Sequence, residues 1–168
     1  MDPTASTGTA MRYERVAFLN TGTIAAPVWA LMGKGFEALD DALNPNVSEK
    51  TYVSDKSASK TITGYAPEWS IEGSVIKDEA TITFLRAIGE TLAVGESAEA
   101  EVIVFDLWDV DSGTKYVDGY KYPVVVQMDS IGGGSGGEEL AFSGSLLANG
   151  DPTAVSFDTV NKAVVESS

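Results

Sequence analysis

Four groupings in this chain have residue types and spacing that chemistry could use. Gly132, Gly134 and Gly137 match G-x-G-x-x-G. That motif binds dinucleotides only when a strand precedes it and a helix follows, so that the helix N-terminus meets the pyrophosphate. Here the following segment alternates like a strand, no Lys-Ser/Thr follows, and Glu138 and Glu139 sit where phosphate would lie. The expectation is a hairpin loop. Asp106, Asp109 and Asp111 with Gly113 form part of a calcium-loop pattern. Counting from Asp109, glycine falls one place before the sixth position an EF-hand requires. An acidic hairpin turn is expected, with a weak cation site of another kind as the alternative. The pairs Glu99/Glu101 and Glu138/Glu139 would serve a glycosidase only across a cleft, and nothing in the sequence places them so. Trp29, Trp69 and Trp108 all lie on strand-like segments. Each is expected in the core rather than on a carbohydrate-binding face.

The chain contains no His and no Cys. That removes Cys/His zinc and haem sites, thiol chemistry, and any His general base. A serine nucleophile would lack its usual imidazole partner. The expectation is a protein that is not an enzyme and needs no metal or cofactor.

The elements that position these residues follow from composition and pattern. A chain of 168 residues with 43% hydrophobic content fits one domain. At this length folding buries roughly two-thirds of the unfolded surface, so no disulfide is needed. Net charge is −14, with the acidic excess concentrated in the second half. Such a chain does not hold nucleic acid by neutralising phosphates. The simplest role of the acidity is solubility. The N-terminus lacks the basic and apolar regions of a signal peptide, and the apolar run Ile24–Met32 is broken by Pro27 and too short to span a bilayer.

Residues 1–10 are small and polar and read as a flexible arm. Arg12–Leu19 and Pro27–Met32 read as strands. Phe36, Leu39 and Leu43 have helical spacing within GFEALDDAL, leaving a short helix or a structured loop there. Lys50–Val53 and Lys60–Tyr65 are strand-like around a polar turn. Trp69, Ile71, Gly73 and Val75 share one strand face. Asp78–Leu92 reads as a helix, with Asp78 as N-cap and Thr81, Phe84, Leu85, Ile88 and Leu92 as the apolar stripe. Glu101–Trp108 is apolar on both faces for most of its length, as a central strand covered on both sides would be. Tyr116–Met128 and Leu140–Leu146 alternate again. Asn149–Pro152 signals a turn, Val155 and Phe157 a short last strand, and residues 161–168 a mobile tail. The class predicted is mainly β: an antiparallel β-sandwich or barrel with one packed α-helix, spanning 11–160.

The order of these features resembles the major tail-tube proteins of long-tailed bacteriophages. The residues carrying the resemblance are the polar stretch NPNVSEKTYVSDKSASKTITGYAPEW (Asn44–Trp69), the helix after it, the strand VIVFDLW, and the run KYPVVVQMDSIGGGSGGEELAFSGSLLANGDP ending near TAVSFD. The resemblance covers about residues 12–160. Lys50–Pro67 and Val124–Pro152 are its strongest pieces, and GFEALDDAL departs from it by reading more helical than the expected loop.

The resemblance implies a virion protein, made in the host cytoplasm, that assembles with itself into hexameric rings. Sheets of neighbours would pair around a lumen, and rings would stack around a tape-measure protein. Tail terminator and tail-tip proteins would be further partners. DNA would pass through without specific binding, and no membrane would be involved. Residues 38–60 would be the long inter-ring loop, with Asp40, Asp41, Glu49, Lys50, Lys56 and Lys60 as assembly candidates. The lumen-lining acidic candidates are Glu99, Glu101, Asp106, Asp109, Asp111, Asp129, Glu138 and Glu139. The alternatives are a tube subunit of a contractile tail or injection device, and a monomeric β-sandwich binding module.

Overall fold

The computed structural model describes residues 7–110 and 116–165. The strands are β1 (Arg15–Asn20), β2 (Trp29–Leu31), β3 (Phe36–Ala42), β4 (Pro45–Lys50), β5 (Ser59–Tyr65), β6 (Glu68–Ser74), β7 (Glu99–Val110), β8 (Tyr116–Gly133), β9 (Ala141–Ala148), β10 (Thr153–Asp158) and β11 (Ala163–Val165). Among the described residues one α-helix, α1 (Ala80–Glu90), lies between β6 and β7. The expected class, a mainly antiparallel β-sandwich or barrel with one packed helix, is what the chain adopts.

One sheet runs in the order β2-β1-β7-β8-β9-β6-β3, and β10 and β11 branch from β8. The branch exists because β8 is long. Its first part, Tyr116–Lys121, pairs with β10, and its later part, Val124–Gly133, pairs with β9. Two apolar clusters result, one on each side of β7. Val102 and Val104 point into the larger cluster with Leu19, Trp69, Ile71, Phe142 and Leu146. Ile103 and Phe105 point the other way, into a cluster with Phe18, Trp29 and Phe157. This double burial is what an apolar strand without alternation predicts. Phe157 stacks against Phe105 and tilts against Phe18, with ring centroids 5.5 and 4.7 Å apart.

The curled sheet almost closes around the larger cluster. β1 and β3 are not paired with each other, but Arg12 Nη2 donates to the Leu39 carbonyl at 2.6 Å and Arg15 Nη2 meets Asp41 at 3.0 Å. Two arginines thus span the seam.

Several expectations are corrected. GFEALDDAL is neither helix nor loop but strand β3. A bulge between Phe36 and Ala38 shifts the register. Phe36 and Leu39, three apart, therefore both pack against the larger cluster, and the bulge imitates helical spacing. Leu43, the third member of that pattern, is exposed. Strand β4 begins at Pro45 and ends at Lys50, so Thr51–Val53 belongs to the turn. Residues 163–165, expected in a mobile tail, pair with β10.

The helix buries Thr81, Ile82, Leu85 and Ile88. Glu79, not Asp78, is the N-cap, and no side chain caps it. Leu92 lies beyond the stripe. The Ala93 N–H donates to the Ile88 carbonyl at 3.1 Å and the Leu92 N–H to Gly89 at 3.2 Å, a Schellman termination. Leu92 occupies the left-handed position with φ 51, where glycine is usual and a side chain costs about 1 kcal/mol.

Thr81 Oγ1 is buried without a hydrogen-bond partner. An unsatisfied buried hydroxyl is unfavourable. Thr81→Val, which keeps the shape and removes the hydroxyl, should raise stability by up to about 1 kcal/mol. Thermal unfolding followed by circular dichroism would register this as a higher melting temperature, and a lower one would refute it.

Candidate assembly surfaces

Two surfaces stand out. The first is the side of the sheet turned away from the larger cluster. Residues opposed across an antiparallel ladder share a face, so the register defines this side directly. One row is Glu99, Val125, Leu147, Glu68 and Ala42, of which Val125 also packs against the edge of the larger cluster. The next is Gln127, Ser145, Ser70 and Asp40. A third is Ser130, Ser143, Glu72 and Ala38. Asp129 joins them, accepting from Gln127 Nε2 at 3.0 Å, and Glu101 lies one step along β7 from Glu99. Six carboxylates therefore share this side: Asp40, Glu68, Glu72, Glu99, Glu101 and Asp129. The cation among them is Lys121, whose Nζ is 3.3 Å from the nearly covered Glu101. Serines and alanines fill the spaces between. The β10–β11 branch covers the neighbouring Ile103 and Phe105 but leaves Asp40, Ser70, Glu72, Glu99, Gln127 and Asp129 exposed.

The second surface is the β4–β5 hairpin, a two-stranded sheet separate from the main one. Its base is set by Asn44, which adopts φ 45 and donates from Nδ2 to the Ala66 carbonyl at 3.1 Å. Asn tolerates this left-handed conformation better than most residues. Pro45, Val47 and Glu49 lie opposite Tyr65, Ile62 and Lys60. One face is therefore apolar, with the Glu49–Lys60 ion pair at 3.7 Å towards the tip. Val47, Ile62 and Tyr65 are each more than half exposed. An isolated two-stranded hairpin is marginal in water, and this one displays its apolar side to solvent.

The sequence-predicted residues are distributed more widely than expected. Asp40 lies on the acidic sheet face. Asp41 and Asp106 lie on the other side and both bind Arg15, at 3.0 and 3.1 Å. Burial, opposed by Arg15, pushes the neighbouring Tyr122 phenol above its ordinary value. Glu49, Lys50 and Lys60 are on the hairpin strands, and Lys56 is in its turn. Glu138 and Glu139 are in the β8–β9 turn, where Glu139 accepts from the Ser74 hydroxyl at 2.9 Å and Glu138 from the Ser135 N–H at 3.0 Å. Asp109 lies near the end of β7, and Asp111, with most of the acidic turn, lies outside the described residues. Trp29 and Trp69 are buried and Trp108 is half-buried.

Glu68 and Glu72 were missed as surface candidates. Their alternation with Trp69, Ile71 and Gly73 was readable, but their proximity to Glu99 and Asp129 depends on strand order. The expectation that no Ser-x-x-Lys spacing occurs is corrected by Ser57/Lys60, Ser74/Lys77 and Ser112/Lys115, the last outside the described residues. Ser57 and Lys60 lie on a turn and strand rather than on one helix face, and Lys60 faces Glu49. The glycine-rich segment joins β8 to β9 and no helix follows it. Among the described residues no cluster of acidic side chains could hold a metal ion, and no helix is long and apolar enough to cross a membrane.

The seam yields a prediction. Arg15 and Asp41 are nearly half exposed, so solvent screens the pairing, and the guanidinium contributes on the order of 1 kcal/mol. Arg15→Ala should lower the melting temperature by a few degrees, and the difference from the parent should shrink in 1 M salt. An equal loss at both salt concentrations would mean that packing, not charge, closes the seam.

No protein-family model matches the chain. No curated protein matches it in sequence. Solved structures are similar in fold. A chain from the tail of an empty gene transfer agent (GTA) particle, refined with helical C6 symmetry, superposes with TM-score 0.60 at 15% identity, covering 86% of this chain and 98% of that one. A chain from the tube-terminating cap of the anti-feeding prophage gives 0.53 at 12% identity, covering 91% and 95%. One from the sheath/tube terminator of an extracellular contractile injection system gives 0.52 at 10%, covering 89% and 99%. At these identities the likeness is one of fold, and the protein has the β-fold found in chains of phage-like tails and contractile injection systems.

Proposed function

We propose that this protein is the repeating subunit of a tail tube. It assembles with itself into stacked rings of six around a lumen that conducts DNA and houses a tape-measure protein during assembly. Tail terminator and tail-tip proteins cap the two ends. The virion tail is its site of action, after synthesis in the host cytoplasm. The role is structural rather than enzymatic.

The observation that carries the reading is the sheet side left uncovered by the chain's own elements. It is acidic and furnished with small side chains. As the lumen wall it would repel phosphates and avoid the counterion release that makes basic walls adhesive. The exposed hairpin with Lys50, Lys56 and Lys60 is the inter-ring arm. A patch that is not self-complementary propagates when it meets a different patch on the next copy. Similarity to the anti-feeding prophage and contractile injection system chains favours a second reading, a tube enclosed by a contractile sheath. Binding of a sheath protein to assembled tubes would separate the two.

Negative-stain electron microscopy of the purified protein, at low and high concentration, tests the proposal. Hollow tubes or rings are expected, and a compact monomer with ligand affinity would favour the monomeric binding module instead. Replacing Glu68, Glu72 and Asp129 together by Lys should leave tubes intact, make them retain DNA in a low-salt filter assay, and slow delivery. Loss of assembly would put these residues at interfaces. Deleting residues 46–59 should leave a folded protein that no longer polymerises, and tubes of normal length would exclude the hairpin as the inter-ring arm.

A further inference from the structure

We infer that the apolar face of the β4–β5 hairpin docks into the groove at the C-terminal end of α1 on a second copy of this chain. The inference rests on the self-assembly reading and assigns the hairpin its receptor.

The groove has a volume of about 510 Å3, lies between the end of α1 and β8, and includes Leu92, Val94, Ala98, Val125 and Val126 in its lining. Its rim residues Leu92 and Val94 are 82% and 81% exposed. Leu92 is the informative one. It occupies the left-handed position of the helix termination, φ 51, where glycine is the favoured residue. A leucine there is strained and its side chain packs little within its own chain. Contact with another molecule gives it a role that local structure does not.

The hairpin supplies a matching surface. Val47, Ile62 and Tyr65 form an apolar patch, each more than half exposed. Charge is complementary around both. Residues 44–66 carry Lys50, Lys56 and Lys60 against Glu49 and Asp55, a net charge of +1 in a chain whose total is −14. Beside the groove's Gly95 lies the exposed Glu96, whereas Glu90, next to Gly89, is already paired with Arg86 at 3.1 Å. Complementary potentials guide encounter and fix register. Hairpin and groove are different patches of one chain, so every copy donates one and receives one. Such a heterologous contact repeats until it closes or extends into a filament.

The chain has no cysteine, so introduced thiols report contacts directly. The double variant Ile62→Cys with Leu92→Cys, oxidised at assembling concentration, should give a ladder of covalent multimers on a non-reducing gel. The control pair Tyr120→Cys with Leu92→Cys should stay largely monomeric. Equal crosslinking of both pairs, or none of the first, would overturn the docking. Leu92→Gly should melt no lower than the parent yet require at least tenfold more protein to assemble, and unchanged assembly would overturn it too. Glu96→Lys should weaken assembly, and adding Lys56→Glu should restore it. Failure to restore it would count against the charge pairing. Microscopy of the parent separates the two readings. Tubes without the ladder defeat the docking and spare the tube, a ladder without rings or tubes defeats the tube and spares the docking, and neither defeats both.

Discussion

The architecture depends on β8 being longer than any of its neighbours. Eighteen residues of continuous strand let one ladder side serve two partners in succession, β10 and then β9. If β8 ended near Pro123, β9 and β6 would lose the template that holds them beside β7. If it began there, β10 would have nothing to pair with, and Phe157 could not cover Phe18 and Phe105. β7 runs against the first part of β8 and stops pairing at Val125, and its alternate residues face the two apolar clusters on its opposite sides. The same offset leaves one part of the outer sheet side covered and the rest open. The open acidic side is thus a consequence of strand length and register as well as of composition.

The helix completes this arrangement at one point. Beyond Val125, α1 lies against β8, and Arg86 Nε donates to the Ile131 carbonyl at 3.3 Å. Ile82, Leu85 and Ile88 enter the larger cluster. Gly89 faces Ile131 so closely that a Cβ would meet its Cγ2 methyl, so a larger residue there would force that side chain to move.

Much of the fold was readable where a strand buries one face or two. Trp69, Ile71 and Gly73 alternate cleanly, and Val102–Phe105 is apolar throughout; both patterns translate directly into their observed burial. Strand β3 was not readable, because its bulge gives Phe36 and Leu39 the spacing of a helix. The helix stripe was largely legible: Thr81, Leu85 and Ile88 are buried as expected and Phe84 partly so, but Ile82 joins them and Leu92 belongs to the termination rather than to the face. The candidate surface was less legible than the fold. Glu99 and Asp129 could be proposed from local acidity, but Asp40, Glu68 and Glu72 join them only through pairings between strands far apart in sequence. Asp41 and Asp106 look like surface charge until Arg15 is seen between them.

The seam between β1 and β3 has a mechanical meaning. Around the rest of the barrel, neighbouring strands are tied by backbone ladders, which resist sliding and opening at every second residue. Across the seam the ties are two guanidinium groups, Arg12 and Arg15, on long side chains that tolerate changes of length and angle. The subunit is therefore built like a split ring with a pinned slot: stiff around most of its circumference and compliant along one line. Bending or squeezing will be taken up first along that line, while the register of every laddered strand is preserved.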